Sequence, residues 1–263
     1  MKFILTLSAM ALLCAACSKN DTTTPATGNT KGQTTLTFDA RVGNEDFALN
    51  KEFTINDTKY SFSQLRYWVS NIALVNEQGT TWKVPSAYFL LEENAAISIQ
   101  DGKYTYPARK RETVELRDVP AGTYRRVIFS IGVDATYNDN LSLQAGELSQ
   151  LNGMTNISWM WHTSYLFSSL KGSILSGAAP VALSVETGLN TNYRTLQTDL
   201  PAPLVVNEQQ SGSITFQVDV AKIIAGVDLM KTPRIGAAQP AEMKQVADNY
   251  GTKAIQLMPV NTK

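Results

Sequence analysis

Apolar and polar residues alternate along much of this chain with the period of a half-buried strand. Leu36, Phe38, Ala40 and Val42 are separated by polar residues, and the run stops at Gly43-Asn44, which predicts a strand with one face on a core. Phe53-Thr54-Ile55 and Tyr60-Ser61-Phe62 flank Asn56-Asp57, the form of a short hairpin with turn residues at its tip. Further strands are predicted over Arg66 to Val75, Trp82 to Leu91, Ile97 to Ile99, Thr113 to Leu116 and Tyr124 to Val133, the last entered through Pro120-Ala121-Gly122. The series resumes with Tyr165 to Leu175, Val181 to Val185, Tyr193 to Leu200 and Ser213 to Val220. Helical turns are expected at Gln144 to Leu151, at Ala221 to Ala225, and at Pro240 to Tyr250, where Pro lies just inside the start and Gly251 just past the end. No repeat and no internal linker divides the series. The expected architecture is all-β, a single antiparallel β-sandwich domain over 34–263 with a few short helices.

The first residues read differently. Lys2 precedes an apolar run from Phe3 to Leu13, the length of a signal-peptide core and too short to span a bilayer. Cys14-Ala15-Ala16-Cys17 resembles a lipobox, with 1–16 as a lipoprotein signal peptide and Cys17 as the lipidated first residue. Residues 17–33, rich in Thr, Pro, Gly and Asn, are a flexible tether. The expected location is an exported, membrane-anchored lipoprotein, held to the bilayer through acylated Cys17 at the outer membrane or surface of a Gram-negative bacterium. Cys14 and Cys17 are the only cysteines, so a disulfide or Cys-based metal centre in the sandwich is excluded.

Composition narrows the chemistry further. With 23 basic and 23 acidic residues the net charge is zero, so no general field draws nucleic acid. The single His of the chain, His162, would have to serve any Ser-His-Asp site, and no G-x-S-x-G, P-loop, G-x-G-x-x-G or His-Glu-x-x-His motif occurs. The expectation is a protein that is not an enzyme. Asp134, Asn138, Asp139 and Asn140 offer oxygens to a cation such as calcium, though their spacing matches no EF-hand and such loops usually tie themselves together.

The stretch Gly153 to Gly172, GMTNISWMWHTSYLFSSLKG, carries two of the four Trp, two of the seven Met and the only His. If it is one extended strand, Trp159, Trp161, Thr163 and Tyr165 share one face, and Met160, His162 and Ser164 the other. On periodicity alone, aromatic core packing is the ordinary account of the tryptophans.

Met154 to Tyr165 with Lys171-Gly172 resembles the signature of the MbnP-like family of copper-binding proteins. So does Leu65-Arg66-Tyr67-Trp68-Val69-Ser70-Asn71-Ile72, and so does Val119-Pro120-Ala121-Gly122-x-Tyr124 followed by Ile131-Gly132-Val133-Asp134. The resemblance implies copper held by imidazole ligands and a Trp, here Trp159 or Trp161, oxidised to kynurenine by a di-haem peroxidase-like partner. One family position for an imidazole falls on Val185-Glu186-Thr187-Gly188, where Glu186 stands in place of His. The remaining metal candidates are His162 and Met160, joined by Met154 or Glu186; a carboxylate is the harder donor and suits Cu(I) poorly. The alternative is a non-metal structural or glycan-binding lipoprotein that keeps the fold and presents aromatics such as Trp82, Tyr104 or Tyr106.

Overall fold

The computed structural model describes residues 30–156 and 164–259. The first alternating run becomes β1 (Lys31–Val42), which buries Leu36, Phe38, Ala40 and Val42 and begins three residues ahead of Thr34. β2 (Glu45–Asp46) folds back on its end. β3 (Glu52–Ile55) and β4 (Thr58–Asn76) form the expected hairpin, with Asn56 and Asp57 at φ 47° and 63°, both positive as a type I′ turn requires.

β4 absorbs two predicted strands into one of 19 residues. The predicted Trp82 to Leu91 strand is instead divided into β5 (Thr81–Lys83) and β6 (Tyr88–Asn94). Between them Pro85 has no N–H to donate to a ladder and Ser86 takes φ 48°. β7 (Ile97–Ile99) and β8 (Tyr104–Tyr106) make a separate ribbon, followed by β9 (Arg109–Arg111), β10 (Thr113–Pro120) and β11 (Gly122–Ile131).

After β11 comes α1 (Ala135–Asn138), and the helix expected over Gln144 to Leu151 is reduced to a 3-10 turn, Gln150–Asn152, capped by Ser149. β12 (Thr155–Asn156), β13 (Ser164–Ile174), β14 (Val181–Gly188), β15 (Arg194–Val206) and β16 (Ser213–Asp219) follow. The remainder is α2 (Val220–Ile223), β17 (Arg234–Ile235), α3 (Pro240–Asn249) and β18 (Ile255–Leu257). Gly251 does not stop α3, because a π-helical turn, Tyr250–Ala254, carries the winding on and buries both Tyr250 and Ala254.

Two sheets make the sandwich. The smaller has the order β10-β1-β16-β18, and the larger runs β15-β11-β4-β13-β14-β17 with shorter strands added along β4, β6 and β13. Pairing is mostly antiparallel, but β1 and β16 are parallel, as are β14 and β17. The sheets meet through aromatic rings: Phe38 of β1 lies 5.3 Å from both Phe129 of β11 and Phe216 of β16, and the latter two are 5.1 Å apart. Each such ring contributes about 1.5–3 kcal/mol by burial.

Both faces of β4 are covered. Tyr67 faces Tyr250 at 5.9 Å, whereas Arg66 on the opposite face lies under Tyr106 of β8 and beside the turn at Gly153. That second, outer face of the larger sheet carries the candidate chemistry.

Candidate functional site

Thr155 pairs with Tyr165 and Asn156 with Ser164, antiparallel. β12 and β13 are thus separate antiparallel partners, and the described ends of Gly153 to Gly172 do not form a single strand. Trp159, Met160, Trp161 and His162 fall between those two anchors, outside the described residues, as does Cys17.

The frame around that segment is firmly held. Met154 is fully buried, its N–H donates to Asn152 Oδ1 at 2.9 Å, and its carbonyl accepts from the Leu166 N–H at 2.9 Å. The Tyr165 N–H donates to Asn138 Oδ1 at 2.9 Å. Trp68 and Tyr165 meet edge to face at 6.0 Å, yet the Trp68 indole N–H, the Tyr165 hydroxyl and the Ser164 hydroxyl are all buried without a hydrogen-bond partner among the described residues. Unsatisfied buried groups are uncommon, and three of them gather beside the anchors of this segment.

Glu186 is not part of that frame. It lies opposite Ser169 on β13, with its carboxylate 3.2 Å from Lys171 Nζ and accepting from Ser169 Oγ at 3.4 Å. Met154 bonds β13 at Leu166, three positions away, or about 10 Å along a strand. An ion-paired carboxylate thus occupies the position where the resemblance expects imidazole. Among the described residues no group of three or more His, Cys, Asp or Glu could hold a metal ion, and the single His of the chain lies outside them.

The other two sequence blocks converge in space. Asn71 Nδ2 donates to Asp134 Oδ2 at 3.0 Å and to the Tyr193 hydroxyl at 2.7 Å, and the Tyr88 hydroxyl donates to the same Asp134 oxygen. Asp134 Oδ1 caps α1 through the Thr136 N–H at 3.2 Å. Burial works to raise the Asp134 carboxyl, but the bonds from Tyr88, Asn71 and Thr136 outweigh it and hold it below the ordinary aspartate value. It stays ionised at neutral pH, while burial and the bond to Asp134 push the Tyr88 hydroxyl far above its usual value. Gly132, from the same block, sits at φ 111°, and a Cβ there would come within 2.6 Å of the Phe167 ring.

The oxygens considered for calcium are engaged within the protein. Asp134 is bonded as above, Asn138 to Tyr165 and Asn190, Asp139 to Asn190, and Asn140 to Ser142. They tie the loop after β11 to β13 and to the turn at Asn190, the ordinary work of such residues.

A buried charge network lies farther along β4. Arg66 Nε donates to Glu92 Oε2 at 2.8 Å, the Tyr106 hydroxyl donates to Glu92 Oε1 at 2.6 Å, and Arg109 approaches Glu92 Oε1 at 3.4 Å. The Arg66 and Glu92 side chains are 1% and 0% exposed, and the guanidinium covers the Tyr106 ring at 4.7 Å. Tyr106, 8% exposed with its hydroxyl committed, is therefore not available as a glycan platform. Trp82 is half-buried against the core, and Tyr104 is 40% exposed. Neither this network nor the Asn71 cluster was marked as chemistry by the sequence, since each joins residues from separate strands with no motif spacing.

Comparison with known proteins yields two findings. A family model described as MbnP matches residues 31–242. Among solved structures the chain is similar to MbnP from Methylosinus trichosporium, at 15% identity and a TM-score of 0.50, covering 74% of this chain and 78% of that one; at that identity the likeness speaks for the fold. No curated protein matches.

Proposed function

This chain belongs to the MbnP family, and from that premise we propose that it is an exported, non-enzymatic protein that handles copper at residues 157–163. The carrying observation is the root of that segment, where buried Met154 and the Trp68, Ser164 and Tyr165 groups, unpaired among the described residues, surround the anchors of the stretch that holds Met160 and His162. Imidazole and thioether form a soft donor set that suits Cu(I). In this reading His162 and Met160 hold the ion and Met154 is the further thioether, while Glu186 stays with Lys171. Trp159 or Trp161 is the residue a di-haem peroxidase-like partner oxidises.

The test is a competition titration of Cu(I) into the mature chain. His162→Ala should weaken binding by more than about tenfold, the scale on which metal sites respond to lost groups. Glu186→Gln should leave it unchanged. Mass spectrometry of the native protein should show kynurenine in the peptide containing Trp159 and Trp161. Equal, feeble binding by wild type and His162→Ala, with both tryptophans intact, would overturn the copper reading in favour of a non-metal binding protein on the same fold.

Anchoring through Cys17 belongs to the same proposal, and no helix among the described residues is long and apolar enough to cross a membrane. Multiple acyl chains make anchoring stable, so Cys17→Ser should move the protein from the membrane fraction to the soluble one. Unaltered fractionation would rule lipidation out.

A further inference from the structure

The ladder between β16 and β18 stops short of the start of β16. Val218 pairs with Ile255, Gln217 with Gln256 and Phe216 with Leu257, and the Met258 N–H then donates to the Thr215 carbonyl at 2.8 Å. In an antiparallel ladder alternate residues exchange hydrogen bonds, so after Thr215 the same edge presents Ser213. Gly212 turns the other way, its carbonyl accepting from the Thr35 N–H and the Thr34 hydroxyl. Ser213 is exposed, and among the described residues no strand pairs with it on the β18 side.

That bare stretch of edge lies in a cleft of about 580 Å³. Part of the lining comes from β15, which carries four residues between Asp199 and Leu204 against the single Arg125 of β11. Residues 200–203, two of them proline, therefore stand out of the ladder, and Leu257, Met258 and Pro259 also line the cleft. Asp39 is the one ionisable side chain in the lining among the described residues, and the Arg41 Nε donates to it at 2.8 Å. Unpaired peptide groups between apolar walls, without free charge, suit an extended uncharged strand, whose main chain bonds the edge while its side chains meet the walls.

The chain itself runs toward that edge. Continuing the register sets Pro259 opposite Ile214 and Val260 opposite Ser213. Pro259 then falls where its nitrogen points away from β16, a position at which a ladder tolerates proline. Val260 falls where its own N–H and C=O meet those of Ser213. Val260, Asn261 and Thr262 are uncharged, as the cleft requires.

We propose that the open edge at Ser213 is a strand-addition site and that its occupant is this chain's own segment, residues 260–263, which extends β18 along β16. None of the lining belongs to the frame of residues 157–163, so the inference stands whether or not copper is bound there.

The test follows amide exchange at Ser213 by NMR in the full mature chain and in two variants of it. Wild type should exchange slowly at Ser213. Val260→Pro removes the N–H that bonds the Ser213 carbonyl and should speed exchange there about tenfold, the worth of one or two hydrogen bonds. Asn261→Pro, at an outward position like that of Pro259, should leave it as in wild type. Exchange at Phe216 should be the same in all three, which reports an intact sheet. The proposal fails if Ser213 exchanges at the unprotected rate in wild type, if the two proline variants behave alike, or if protection is lost on dilution, the sign of a strand supplied by a second copy.

Discussion

Arg66→Met is expected to destabilise the fold by about 3–5 kcal/mol, the cost of leaving a buried carboxylate without its partner. Glu92 is fully buried, and its other cationic neighbour, Arg109, is 3.4 Å away with a side chain 46% exposed. The loss should appear as a lower urea midpoint with an unchanged slope. The double variant Arg66→Met, Glu92→Leu should recover much of the difference, because replacing both members of a buried pair removes the stranded charge along with the attraction. A single variant within about 0.5 kcal/mol of wild type, the range of ordinary surface changes, would show that the network is not a coupled unit.

Gly172→Ala should be the next most damaging change. β13 and β4 approach so closely at this point that a Cβ on Gly172 would lie 2.8 Å from Phe62 Cα and closer still to the Ser61 carbonyl oxygen. Backbone cannot swing aside as a side chain can, and the ladder already shifts register between Lys171 and Gly172. Overpacking costs about 1–3 kcal/mol, which lowers the melting temperature by roughly 2–4 °C per kcal/mol in a domain of this size. Ser173→Ala, one residue along the same strand, serves as the control. An Ala variant that melts with wild type would mean that the two strands can separate at no cost.

Gly172 also shows what the sequence could and could not disclose. Its place after Lys171 was readable as part of a family signature, but the reason for it, a neighbouring backbone, belongs to a strand more than a hundred residues earlier. Local features were legible wherever one face is wet and the other dry. The alternation of β1 and the Asn56-Asp57 turn are examples. β4 was legible only as two strands, Tyr60 to Phe62 and Arg66 to Val75, because polar residues such as Gln64 separate them, yet Gln64, like Arg66 and Ser70 farther along, is buried. The contact of Asn71 with Asp134 joins two recognisable blocks across 63 positions, and nothing in either block names the other.

The parallel pairing of β1 with β16 bears on how the molecule responds to mechanical load. β1 is held on one flank by β10 and on the other by β16. A pull applied along the axis of β1 strains hydrogen bonds on both flanks together in shear, and they do not peel apart one after another. Resistance to such a pull is set by the unfolding rate more than by equilibrium stability. Thr35 pairs with Ser213, so β1 waits for a strand that is synthesised long after it.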